Sequence, residues 1–191
     1  MASVIGRETG HKPFPRIVER NKHLFRAVET VLDIGAGTGR FARWFRSNFP
    51  QLKHYIAIEP SKRGVRKLVD TLSGWRALEV IGSTWEEVRN EFISKEFDVV
   101  IVWDVAMFMD LREIHNTSSC TEAVLAEIPY WINMTKQFFL FSLHPVKPEY
   151  SLVPREDFKK LYKKIEEGTN QKQVVLIDKS YLNRLYKVIQ K

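Results

Sequence analysis

Short apolar runs alternate with amphipathic stretches along most of this chain. Residues 30–34 carry Val31, Leu32 and Ile34, and residues 54–59 carry the unbroken run Tyr55, Ile56, Ala57 and Ile58. Residues 77–81, 97–103 and 136–143 repeat the pattern. Continuous apolar runs of this length are expected of strands covered on both faces, as in a parallel sheet. The intervening stretches change to helical spacing: 39–48 with Phe41, Trp44 and Phe45, then 61–72, then a segment from Trp85 to about Ser94. Residues 122–134 predict a helix that Pro129 should kink or divide. Residues 155–167 place Phe158, Leu161, Tyr162 and Ile165 on one side, and Gly168 ends that helix. Runs at 173–177 and 185–189 supply two further strands, so the pattern predicts an α/β domain with seven strands. Upstream, Ile17, Leu24 and Val28 predict a helix over 16–29, preceded by a polar arm whose Pro13 and Pro15 disfavour helix. Residues 1–29 therefore read as an arm and helix, and 30–191 as one domain. Residues 111–121 read as a polar loop, with His115 at the surface.

Where the first strand gives way to the first crossover helix, the chain reads Asp33-Ile-Gly35-Ala36-Gly37-Thr-Gly39-Arg40. Three alternate glycines remove side chains where the backbone must turn and where a ligand can approach closely. Thr38 is placed to cap the following helix, and bare amide groups at a helix start favour a polar or anionic group. The dinucleotide fingerprint needs a third glycine where this chain has Arg40, so nicotinamide chemistry is disfavoured. Glu59 ends the second strand. An acid there suits a bidentate bond to two ribose hydroxyls, or simply favours the helix start at Pro60-Ser61.

The spacing D-x-G-x-G-x-G, with Glu59 downstream, resembles the class I S-adenosylmethionine-dependent methyltransferases. The resemblance implies a seven-stranded, mostly parallel sheet with helices on both faces and strand seven antiparallel between five and six. It implies S-adenosylmethionine as cofactor and S-adenosylhomocysteine as product. Asp33 would orient the methionine amino group, the backbone of Gly35, Ala36, Gly37 and Gly39 would pass beside the cofactor, and Glu59 with Pro60 would meet the ribose. The family commonly has an acid after the third strand to bond the adenine amine. Here Ser83 and Thr84 stand in that region, where Ser83 offers a hydroxyl, and Trp85 either packs on adenine or packs a helix. After the fourth strand the family places cofactor and acceptor contacts, for which Trp103, Asp104 and Met107 are the candidates. Asp104 either bonds or deprotonates an acceptor or orders its loop. His144, beyond the fifth strand, is either a general base or structural. Asp98, near the start of the fourth strand, is usually structural in the family.

Composition narrows the acceptor less than it narrows the class. The 191 residues carry a formal net charge of +7. Residues 97–146 run against it, with two basic and six acidic side chains, so the acceptor side is expected to be acidic. Solvated surface lysines account for the remainder more simply than a nucleic-acid partner, which stays an alternative. The Asp104-Val-Ala-Met stretch lacks the Asn/Asp-Pro-Pro-aromatic signature of amino-methylating nucleic-acid enzymes. Cys120 lacks the proline-cysteine setting of cytosine C5 methylation, and the fifth strand lacks the lysine expected for ribose methylation. An unidentified small molecule or protein side chain is the favoured acceptor by elimination. A non-catalytic module that binds the cofactor or activates a partner is the other alternative. One cysteine and no membrane-length apolar run give the expectation of a cytoplasmic protein without membrane contact.

Overall fold

The computed structural model describes residues 14–143, 151–180 and 183–191. Seven strands form one sheet: β1 (Thr30–Ile34), β2 (His54–Ile58), β3 (Leu78–Ile81), β4 (Phe97–Trp103), β5 (Thr135–Ser142), β6 (Lys172–Ser180) and β7 (Asn183–Gln190). Their order across the sheet is β3-β2-β1-β4-β5-β7-β6. β1 to β5 pair in parallel, and β7 runs antiparallel to both β5 and β6. The predicted architecture is the observed one, and strand seven takes the interior place that the resemblance implied.

The central strands alternate strictly between two cores. Val31, Tyr55, Ala57, Val99 and Ile101 face α1 (Arg16–Arg20), α2 (Arg40–Asn48) and α3 (Lys62–Leu72). Leu32, Ile34, Ile56, Ile58, Val100 and Val102 face the helices that follow: α4 (Trp85–Val88), α6 (Cys120–Asn133) and α7 (Phe158–Glu167). The short α5 (Arg112–His115) lies between α4 and α6 in sequence. Unbroken apolar runs thus serve two layers at once, which forces helices onto both faces.

Several elements depart from the periodicity, each for a local reason. The helix expected over 16–29 stops at Asn21, whose side-chain amide donates to the Ile17 carbonyl at 2.8 Å and to Asp178 at 2.6 Å. A tighter 3-10 turn, Lys22–Ala27, completes the segment. The segment 111–121, expected as a loop, contains α5 and the start of α6, which Ser119 caps by accepting from the Glu122 amide. Pro129 neither ends nor divides α6. The Leu125 carbonyl, one turn earlier, loses the donor that Pro129 lacks, and Leu125 itself is only half-buried. Asp98 accepts from the backbone amides of Glu29 and Thr30, the Thr30 hydroxyl and Gln137, clamping the starts of β1, β4 and β5 together. Burial alone would raise its pKa, but these bonds outweigh it and hold the carboxyl low. Among the described residues, no helix is long and apolar enough to cross a membrane.

Candidate functional site

The carboxyl ends of β1, β2, β3 and β4 meet at one edge of the sheet, and the glycine turn lies across the first two. Gly35 and Ala36 donate their amides to the Ile58 carbonyl at 2.8 and 3.0 Å, which locks the turn onto β2. The three glycines all have positive φ, yet they do different work. A Cβ on Gly35 would lie 2.5 Å from Val105, and one on Gly39 would lie 2.5 Å from Leu68. Both are places where neighbouring side chains pack against bare backbone. A Cβ on Gly37 would meet nothing within 4 Å. Of the three, only Gly37 opens onto free space. Gly39, in the left-handed region, occupies the cap position of α2; the cap expected from Thr38 is not made.

Glu59 is 5% exposed and points into this turn. One carboxylate oxygen accepts from the Gly37 amide at 2.7 Å and the other from the Ser61 amide at 2.9 Å. Burial pushes its pKa up, and the two backbone donors pull it back. Each oxygen keeps lone-pair capacity beyond its backbone bond. The carboxylate is thus aimed by the backbone and still able to accept from a pair of hydroxyls. Gly64 in the first turn of α3 makes room for it, since a Cβ there would sit 2.8 Å from Glu59 Cγ. Pro60 is exposed at the rim, and Ala36 is buried within the turn.

Asp33 lies deeper, 2% exposed, and accepts a 2.6 Å hydrogen bond from the Tyr55 hydroxyl. Desolvation raises its pKa to about 7, against the opposing pull of the Tyr55 hydrogen bond and of Arg40. Burial likewise raises Tyr55 well above the usual phenol value, with Asp33 adding to it. Arg40, at the start of α2, is pushed down by burial while the fields of Asp104 and Asp33 hold it charged. A cation at a helix N-terminus is unfavourable by itself. Its place between two carboxylates offsets that.

The third strand end differs from the sequence-based picture. Thr84 and Glu87 form a reciprocal capping box at α4, and Ser83 donates to the same Glu87 carboxylate. The Ser83 hydroxyl spends its proton on this cap and keeps acceptor lone pairs, while the Thr84 hydroxyl accepts from the Glu87 amide within it. Trp85 is not at the surface of the crevice: it is 2% exposed and donates its indole N–H to Glu127 at 2.9 Å. Glu127 is fully buried on α6 and also accepts from Arg89, at 3.2 and 3.0 Å, while His115 lies 2.6 Å from its second oxygen. His115 is therefore part of a buried charge cluster, not the surface histidine expected, and the Arg89 guanidinium lies 4.8 Å from the Tyr130 ring centroid. Trp103 and Met107 are buried as well, Trp103 against Phe41 and Met107 in the opposite core.

Asp104 is the strand-end candidate that stays half-exposed. Its φ is +59, unusual for a residue with a side chain. Its amide donates to the Ser142 carbonyl at 3.0 Å, and the Ser142 hydroxyl bonds its carboxylate. That hydroxyl is also 2.7 Å from the Asn183 side-chain amide, so β5 holds Asp104 directly and β7 holds the Ser142 that does so. His144 lies outside the described residues. Neither Ser142 nor Asn183 was singled out from the sequence, although a polar residue ending the apolar run 138–141 was the available signal.

The chain matches the family model described as a methyltransferase domain over residues 7–109, more than half its length. No curated protein matches it. Among solved structures it is similar to an O-methyltransferase family protein from Burkholderia thailandensis, at 17% identity and a TM-score of 0.56, covering 88% of this chain and 52% of that one. This chain thus spans about half the length of that protein. It is also similar to the N-methyltransferase NodS of Bradyrhizobium japonicum WM9, solved with S-adenosyl-L-homocysteine, at 14% identity, a TM-score of 0.57 and coverage of 93% and 88%. A ribosomal protein L11 methylase from Lactobacillus delbrueckii subsp. bulgaricus gives 16% identity, a TM-score of 0.54 and coverage of 89% and 74%. At these identities the three share the fold, while their names point to three kinds of acceptor. The family match and the seven-stranded sheet agree: the chain belongs to the methyltransferase-domain family and has the fold of the class I S-adenosylmethionine-dependent methyltransferases.

Proposed function

We propose that this enzyme methylates a nitrogen or oxygen nucleophile of a small molecule or protein side chain, brought to the methyl donor by Asp104. The observation that carries this reading is the left-handed Asp104 at the end of β4, held by Ser142 through both backbone and side chain and lying next to the glycine turn. A non-glycine residue held at positive φ stores backbone strain, which persists where the surroundings over-determine it. Here the strain points a carboxylate at the sheet edge where α/β folds bind ligands.

Bound S-adenosylmethionine supplies the activated methyl carbon. Glu59 would accept from the ribose hydroxyls, Gly37 would let the backbone approach, and Asp33 would act on the amino-acid end. Asp104 accepts a hydrogen bond from the acceptor's N–H or O–H and so fixes the lone pair for in-line attack. Residues 83–143 hold ten acidic and four basic side chains, a field that suits an amine better than an anion. The test is methyl transfer to a panel of amines, phenols and basic peptides with wild type and Asp104→Asn. Turnover falling at least tenfold with donor affinity unchanged supports the assignment. Equal turnover in both proteins, with an acceptor in hand, overturns it.

A further inference from the structure

The charge of this chain is unevenly distributed along the sequence. Residues 14–82, which build β1–β3 and the helices α1–α3, carry thirteen basic and six acidic side chains. Residues 83–143, which build β4, β5 and α4–α6, carry the reverse excess, although α7 on the same face as α4 and α6 adds Lys159, Lys160, Lys163 and Lys164. The acids of the first group are mostly spent. Asp33 and Glu59 are buried at the site, Glu19 accepts from Trp44, Glu29 pairs with Lys53, and Glu79 bonds His54. Four of the cations are not spent in this way. Lys22, Arg26, Lys62 and Arg66 make no side-chain hydrogen bond or ion pair with another described residue, and all but the half-buried Lys22 are exposed.

These cations also line concave ground. A cavity of about 560 Å³ is walled by Lys22, His23 and Arg26 on one side and Asn48 and Gln51 on the other. A second, of about 440 Å³, is bordered by Pro60, Gly82, Lys62 and Arg66, with Val65, Val69 and the acidic Asp70 also in its wall. Between the two grooves run α2 and α3, joined where the Arg46 guanidinium reaches the Thr71 carbonyl and Leu68 packs on Gly39. Arg43 and Arg46 add charge to this ridge. The second groove ends at Pro60 and Gly82, which also rim the cofactor edge.

We propose that the α1–α3 face is a docking surface for the phosphate backbone of a nucleic acid. A band of unpaired cations across two grooves fits a continuous polyanion, and the acid excess of residues 83–143 turns the molecule as it approaches. Phosphate contacts of this kind position a protein without reading sequence. The proposal concerns what the enzyme sits on and does not depend on which atom it methylates.

The test uses the full chain and fluorescence anisotropy with a labelled RNA duplex, the same sequence as DNA, and labelled polyglutamate. Saturable binding of nucleic acid, with an affinity that falls steeply as salt rises, is expected, and the two duplexes distinguish the natural source. Lys62→Ala with Arg66→Ala, or Lys22→Ala with Arg26→Ala, should each cost about tenfold or more at low salt. Each pair should also flatten the log-log salt slope by about 2, since a phosphate contact contributes about 0.9. Lys159→Ala with Lys163→Ala on α7 should change neither. Circular dichroism establishes that each variant is folded. Absence of saturable binding, an equal effect of the α7 pair, or polyglutamate binding as tightly as the duplexes would overturn the proposal. Donor binding by calorimetry is read separately, so a failure here leaves the methyltransferase assignment standing.

Discussion

Replacing Asp33 with asparagine separates the cost of a buried carboxylate from its use. In the folded chain Asp33 is 2% exposed, has one hydroxyl donor in Tyr55, and titrates near 7 in place of its ordinary 3.8. Between those values the folded state holds a proton that the unfolded state has released. Stability must therefore fall as pH rises through this window, and level off above it. At about 1.36 kcal/mol per pH unit the full interval is about 4 kcal/mol, of which about 2–4 kcal/mol should be measurable. The asparagine side chain cannot ionise, and its carbonyl still accepts from Tyr55. Asp33→Asn should match wild type below about pH 4, where both folded and unfolded wild type hold the proton, and exceed it by that amount near pH 8. Urea unfolding followed by tryptophan fluorescence at several pH values reads this directly. Two stability curves that stay parallel from pH 5 to pH 8 would show that Asp33 does not carry the proton, and the buried-acid reasoning would fail.

The same group predicts that S-adenosylmethionine binds more tightly as pH rises through about 7, with proton release visible as buffer-dependent heat in calorimetry; Asp33→Asn should abolish that dependence. Glu59→Gln should cost about 1–3 kcal/mol of stability, because its single amide oxygen can accept from only one of the Gly37 and Ser61 amides, and should bind the donor about 10–100-fold more weakly, the worth of a charged hydrogen bond at about 1.5–3 kcal/mol. Gly35→Ala should lose about 2–4 kcal/mol of stability from left-handed strain and collision with Val105, whereas Gly37→Ala should lose only about 1–2 kcal/mol yet fail in donor binding; equal melting temperatures would contradict the contrast. Glu127→Ala strands Arg89 in the core and should cost about 3–5 kcal/mol in chemical denaturation.

Sequence patterning carried the layer architecture because the signal is redundant: Tyr55–Ile58 and Phe97–Trp103 are apolar on both faces, and only a doubly covered strand tolerates that. The glycine turn and Glu59 were legible because their residue types are unusual for the ends of strands. What stayed hidden was decided by partners distant in sequence. Trp85 is drawn inward by Glu127, forty-two positions away, and His115 by the same carboxylate. The Thr84–Glu87 capping box was readable from spacing alone, and it explains why Ser83 and Thr84 serve the helix. The anchoring of Asp104 by Ser142, itself held by Asn183, required the interior position of β7, which no local pattern specifies.

That position has a consequence for synthesis. Among the described residues β7 is the only hydrogen-bonded neighbour of β6 and the outer neighbour of β5, yet it is translated after both. While a ribosome is still short of residue 183, β5 presents one open edge whose centre is Phe138, Phe139, Leu140 and Phe141. An apolar, uncharged edge of this kind is a template for pairing with another nascent chain. The hairpin of β6 and β7 then arrives as a unit, lays Leu185 and Tyr186 against that edge, and closes it with Lys179, Arg184 and Lys187 among its residues. The last stretch of the described chain therefore acts as an internal gatekeeper. Slowing its delivery, for example with rare codons over residues 172–190, should raise the aggregated fraction without changing the sequence or the final fold.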